Sequence, residues 1–127
     1  MNKYFIILIS FVFLQASQLK WSHDLNSTLK LAKDNNKTIL MMFSAPWCPE
    51  CGYMKEVIFK KEKVSKELAK FNLLEIDITK KDTVPKGYKY IGVPTFFFLD
   101  KNGSVKLQKD GGEREEKFIK MLQKVAK

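Results

Sequence analysis

The chain holds two cysteines, Cys48 and Cys51, in the order Trp47-Cys48-Pro49-Glu50-Cys51. Two thiols at this spacing can close on each other as a disulfide and reopen, which is the chemistry of exchange with another disulfide. The pair follows an apolar run and opens a helical pattern, so the first sulfur meets unpaired backbone N–H groups and the positive end of the helix dipole, both of which stabilise a thiolate. Cys48 is therefore the expected attacking thiolate. Cys51, about one turn further along, is the expected resolving thiol, close enough to break a mixed disulfide on Cys48. Pro49 suits a first helical position, whose N–H has no partner in any case. Glu50 puts a carboxylate between the thiols, which disfavours the Cys48 thiolate, favours the disulfide and points toward a reductant. Trp47, Pro49 and Glu50 are the expected redox-tuning residues.

Other uses of the two thiols are weaker. Zinc needs about four ligands, and His23 is the lone histidine, so no metal site is expected. A soft ion such as Cu(I) needs only two thiolates, and a copper-delivery module stays open as an alternative. A purely structural bridge over so short a loop removes little entropy from the unfolded chain.

The elements that position the pair follow from pattern. Asp24 caps a helix carrying Leu25, Leu29 and Ala32 that ends at Asp34-Asn35-Asn36. Residues 37–43 (KTILMMF) form a continuous apolar run broken by Ser44-Ala45-Pro46, which suits a strand buried on both faces. A helix is expected from Cys48 toward Lys61 with Met54, Val57 and Ile58 on one stripe, then a short helix over residues 64–69. Residues 71–78 (FNLLEIDI) and 94–99 (PTFFFL) read as buried strands. Asp100-Lys101-Asn102-Gly103 turns the chain back into a strand over 104–109, and residues 113–126 close as a helix with Phe118, Ile119, Leu122 and Val125 inward. A strand-helix-strand unit needs a parallel pair with a right-handed crossover, and the hairpin adds an antiparallel one. The fold class is α/β, with a mixed sheet and helices on both faces. Met41, Met42 and Phe96-Phe97-Phe98 are expected in the core; His23 is expected to be exposed or capping, and Asp77 is given no role.

The 127 residues, 45% hydrophobic and with ten Phe, four Tyr and two Trp, are enough for one domain with a real core. The net charge of +9 is almost entirely lysine, with Arg114 the single arginine. Lysines interspersed with acids describe a solvated surface, and no nucleic-acid motif accompanies them, so no nucleic-acid partner is expected. At the N-terminus, Lys3 precedes the eleven-residue apolar run 4–14 (YFIILISFVFL), the form of a secretory signal. A helix of that length rises about 16 Å, half of a bilayer's hydrocarbon core. Residues 1–17 are read as a signal peptide or uncleaved anchor, the only expected contact with a membrane, and residues 18–127 as the folded domain, periplasmic or otherwise exported.

Over about residues 25–122 the chain resembles thioredoxin-fold proteins. The resemblance is carried by the strand over 39–43, by Ala45-Pro46-Trp47-Cys48-Pro49-Glu50-Cys51, by Val93-Pro94-Thr95, and by the hairpin with Gly111-Gly112 and the last helix. Residues 56–79 and the later GVPTFFFLDKNG are similar to the periplasmic C-terminal thioredoxin domain of the bacterial transmembrane thiol:disulfide interchange protein. The resemblance implies a mixed four-stranded central sheet, a cis bond before Pro94, and a substrate groove at Val93, Pro94 and Thr95, with Val93 offering its backbone to an extended substrate. It implies an exported thiol:disulfide oxidoreductase that reduces protein disulfides without a bound cofactor. Its partners would be disulfide-bearing proteins and a dithiol electron donor, membrane-bound or exported. A disulfide donor or isomerase of the same fold is the rival, since Pro49 also occurs in strongly oxidising relatives. One departure stands out: the buried Asp that such proteins place six residues before the first cysteine is Met42, and its lysine neighbour falls near apolar Leu73. Deprotonation of Cys51 is then left to Glu50, Glu56 or water, and slow release of mixed disulfides is expected.

Overall fold

The computed structural model describes residues 19–126; the signal-peptide reading of residues 1–17 lies outside them. Five strands, β1 (Trp21–Ser22), β2 (Ile39–Ser44), β3 (Asn72–Asp77), β4 (Thr95–Leu99) and β5 (Val105–Asp110), form one sheet in the order β1-β3-β2-β4-β5. The pairs β1–β3 and β3–β2 are parallel, and β2–β4 and β4–β5 are antiparallel. Among the described residues, four α-helices pack around it: α1 (Leu25–Asn35), α2 (Pro49–Tyr53), α3 (Glu62–Leu68) and α4 (Glu115–Val125). The sheet is mixed as expected, but it has five strands rather than four. The extra one, β1, is a two-residue edge whose Trp21 stacks on Phe59 at 5.2 Å between ring centroids. So short a strand has no alternation to read; side-chain packing against Phe59 holds it.

Strand periodicity divides the core into two layers. Leu40, Met42, Leu73, Phe96 and Phe98 face Met54, Ile58, Val64, Leu68, Phe118 and Leu122 on α3, α4 and the turn between α2 and α3. The alternate residues Ile39, Met41, Phe43, Leu74, Ile76, Phe97 and Leu99 face α1 through Ala32 and the partly buried Leu29. Every residue of β2 is buried, the signature of a central strand covered on both faces. Asp24 caps α1 by accepting the Ser27 N–H at 2.8 Å, and Asn36 ends it in the left-handed region at φ 57°. Closing the β4–β5 hairpin, Asp100 Oδ1 accepts N–H bonds from Asn102 and Ser104 at 2.8 and 3.0 Å, and Gly103 takes the positive φ of 84°.

The helix expected from Cys48 toward Lys61 is not a single α-helix. After α2 the chain widens into one π-helical turn, Met54–Ile58, closed by Phe59 N–H donating to the Met54 carbonyl at 2.8 Å. The extra residue in that turn shifts the helical phase of the residues after it, so Phe59 is buried with Met54 and Ile58 while Val57 is only partly covered.

Candidate functional site

The loop leaving β2 delivers Cys48 to the N-cap of α2. Cys48 N–H donates to the Ala45 carbonyl at 3.2 Å, its backbone is extended (φ −90°, ψ 108°), and its sulfur accepts the Cys51 N–H at 3.1 Å. The capping atom is thus the sulfur itself, and Pro49 occupies the first helical position, where its missing N–H leaves nothing unpaired. Cys48 and Cys51 are joined as a disulfide with their Cα atoms 5.3 Å apart. Both residues are buried, Cys51 completely at 0% exposed and Cys48 less so at 7%.

Facing the bridge is the turn into β4. The Val93–Pro94 peptide bond is cis, and the Val93 carbonyl oxygen lies 3.6 Å from Cys48 Sγ. Val93 is partly exposed and Pro94 is buried. Thr95 points inward: it is 1% exposed and its hydroxyl donates to the Gly92 carbonyl at 2.6 Å, so its side chain holds the turn together rather than lining an open groove. Gly111 N–H donates to the Pro94 carbonyl at 2.8 Å, which ties the loop before α4 to the same place. Trp47 (68% exposed) and Ile91 (92%) stand open to solvent on the segments flanking the pair, and Tyr53 is also exposed. Trp47, Cys48, Pro49, Glu50, Cys51, Val93, Pro94 and Thr95 therefore meet at one end of the sheet.

Two ion pairs flank α2, and each has a member with no forewarning in the sequence pattern. At the first, Glu50 does not stand alone: Arg114 Nη1 donates to Glu50 Oε1 at 2.9 Å, and the guanidinium lies 4.6 Å from the centre of the Tyr53 ring. That hydrogen bond, with the carboxylate's charge, pushes the Arg114 pKa up. The only sequence signal for it is that Arg114 is the single arginine, just after Gly111-Gly112. At the second, the residue paired with Met42 across the parallel ladder is Glu75, whereas Leu73 pairs with Leu40. The residue in register with Met42 is thus acidic, while apolar Leu73 is buried in the same core cluster as Met42, as expected. Glu75 receives Lys55 Nζ at 2.9 Å and the buried Ser44 hydroxyl at 3.0 Å. Lys55, Glu75, Met42, Trp21 and Phe59 line a cleft of about 570 Å³. Glu56 points elsewhere, exposed and paired with Lys60 at 2.8 Å. His23 is exposed, with Nδ1 3.2 Å from the Glu75 carbonyl oxygen. Among the described residues, no group of three or more His, Cys, Asp or Glu side chains is placed to hold a metal ion.

A family model described as a thioredoxin-like domain matches residues 25–126. A thioredoxin H-type from Brassica campestris is 33% identical over 100 residues, covering 78% of this chain and 77% of the relative. The thiol:disulfide interchange protein DsbD of Campylobacter jejuni (strain RM1221) is 25% identical over 129 residues, covering 95% of this chain and 23% of its own length, so the chain spans about a quarter of that protein. The solution structure of a thioredoxin from Thermus thermophilus superposes with a TM-score of 0.69 at 26% identity, covering 84% of this chain and 86% of that one.

Proposed function

The chain belongs to the thioredoxin-like family and is a thiol:disulfide oxidoreductase of the thioredoxin fold; from that premise we propose that it works as an exported reductant of protein disulfides. The observation that carries the direction of attack is the position of the bridge, with Cys48 at the N-cap of α2 beside the Val93 carbonyl and slightly exposed, and Cys51 fully buried.

In the reduced protein the Cys48 thiolate attacks one sulfur of a substrate disulfide. A Cys48–substrate bond forms, the substrate S–S bond breaks, and the departing substrate thiolate takes up a proton. Cys51 then gives up its proton and attacks Cys48 Sγ, re-forming the Cys48–Cys51 bridge and releasing the second substrate thiolate. Two electrons pass from this dithiol to the substrate. The Cys51 N–H, already aimed at Cys48 Sγ, is the donor that stabilises the attacking thiolate. Trp47, Pro49 and Glu50 tune the couple, and the Val93 and Pro94 backbone borders the docked segment. Export rests on the apolar run over residues 4–14 after Lys3, which has the form of a secretory signal. In an oxidising compartment the returning electrons require another dithiol carrier, in the membrane or exported.

The test is the equilibrium reduction potential of the Cys48/Cys51 couple against dithiothreitol and glutathione buffers. A value near about −270 mV supports a reductant, and one between about −120 and −180 mV makes the protein a disulfide donor or isomerase instead. A Cys51→Ser chain is expected to accumulate mixed disulfides on Cys48, and a Cys48→Ser chain to accumulate none.

A further inference from the structure

We propose that Arg114 and Gly112 form a clamp that holds Glu50 and cancels its charge at the Cys48 sulfur, which makes Arg114 a positioning residue that sets the redox poise of the couple. The inference rests on the reading of Cys48 and Cys51 as a working couple and adds what tunes it.

Glu50 lies two residues from Cys48 in the first turn of α2, where a free carboxylate disfavours a thiolate. Three contacts fix where that carboxylate goes. Arg114 Nη1 donates to it at 2.9 Å. The same guanidinium packs on the face of Tyr53, one turn along α2 from Glu50, at 4.6 Å from the ring centre. A planar, delocalised cation can hold both contacts at once, which a lysine ammonium does less well. The third contact is an absence of atoms: a Cβ on Gly112 would come within 2.7 and 2.8 Å of Glu50 Cγ and Cδ, so Glu50 occupies the space that glycine leaves. Any side chain at 112 must push Glu50 out of its position.

The loop carrying these residues is itself anchored to the site. Gly111 N–H reaches the Pro94 carbonyl at 2.8 Å, and Glu113 N–H reaches Met54 Sδ at 3.4 Å. The other charged groups here, Lys109 and Glu113, face each other at 3.9 Å, and Lys109 also donates to the Gly112 carbonyl at 3.4 Å. Arg114 therefore remains as the cation bonded to Glu50. Arg114 is exposed and α4 starts after it, so its replacement leaves the fold in place.

The experiment measures the exchange equilibrium constant with dithiothreitol and the ultraviolet thiolate titration of Cys48 in the wild type, Arg114→Gln, Glu50→Gln, the double variant and Gly112→Ala. Arg114→Gln uncovers the carboxylate, and the expected result is a shift of about two- to fivefold toward the disulfide, with a higher midpoint for thiolate formation. Glu50→Gln shifts both readouts the opposite way. In the Glu50→Gln background the Arg114→Gln shift falls below about 1.5-fold, because its target is gone. Gly112→Ala, which changes no charge, shifts both readouts in the same direction as Arg114→Gln. The clamp is overturned if Arg114→Gln leaves both readouts unchanged, if its shift persists undiminished in the Glu50→Gln background, or if Gly112→Ala has no effect. A wild-type couple that does not exchange with dithiothreitol at all would instead refute the reading of the pair as a working couple.

Discussion

The two flanks of α2 carry the same kind of interaction in different surroundings. On one side Glu50 meets Arg114 at the rim, with the two side chains 39% and 62% exposed. On the other, Glu75 meets Lys55 with the carboxylate 18% exposed, backed by the buried Ser44 hydroxyl and lying across the ladder from fully buried Met42. At the rim, water and salt screen the pair, so it adds little to folding and its local effect falls on the sulfur two residues away. At the half-buried flank, the carboxylate completes hydrogen bonds that water cannot easily replace, so it contributes to stability. One flank tunes and the other holds.

The largest test of that contrast is Met42→Asp. It places a second carboxyl beside Glu75 in a position with no solvent access, and is expected to destabilise the fold by about 3 kcal/mol or more, measured by urea unfolding. Adding Glu75→Gln should recover part of the loss; a Met42→Asp chain as stable as the wild type would break the comparison. The same variant answers whether an acid at this position speeds release of mixed disulfides, since its release rate is read where the folded fraction is high.

Next in size is Glu75→Ala, expected to cost about 1–2 kcal/mol because the buried Ser44 hydroxyl loses its acceptor. Glu50→Ala should leave unfolding within about 0.5 kcal/mol of the wild type while changing the redox equilibrium. Equal losses of stability from the two substitutions would erase the difference between the flanks.

A smaller effect lies in pH, and it sets the background for both flanks. Hydrogen bonds from Thr79 hold the Asp77 carboxyl below its ordinary value, the Lys70 ammonium does the same for Glu67, and the Ser27 N–H does so for Asp24. A depressed folded-state pKa gives stability that is present above the unfolded value and lost as pH falls through the folded one. The contribution of these groups should therefore be flat from about pH 8 to 5 and decline gently below about pH 4.5, as read by urea midpoints. Thr79→Val should raise the Asp77 pKa in an NMR titration. The smallest expected effect is at the exposed Glu56–Lys60 pair: Lys60→Ala should leave the unfolding midpoint unmoved and exchange intact, which serves as the control for both flanks.

Much of the site is legible in the sequence because it is local. Cys48, Pro49 and Cys51 lie within one helical turn, so their spacing states the chemistry, and the run of Phe96 to Phe98 states burial through composition alone. The illegible part depends on residues far apart in the chain. Glu50 and Arg114 are separated by 64 positions, and the acid in register with Met42, Glu75, sits on another strand and is placed there only by the pairing of β2 with β3. Strand β1 leaves no signal because two residues carry no period, and the π-helical turn leaves none because its hydrogen bonds make no mark in the order of apolar residues.

The amino-acid order by itself determined the cysteine pair, the core strands, the Asp24 cap and the α/β class, since each follows from chemistry among near neighbours or from a short period. Only the tertiary structure decided that Cys51 is more deeply buried than Cys48, that Thr95 turns inward, and that each flank of α2 receives its own ion pair. Those outcomes depend on which strands and loops are brought against α2, and that juxtaposition is set by the packing of the whole sheet rather than by any local segment.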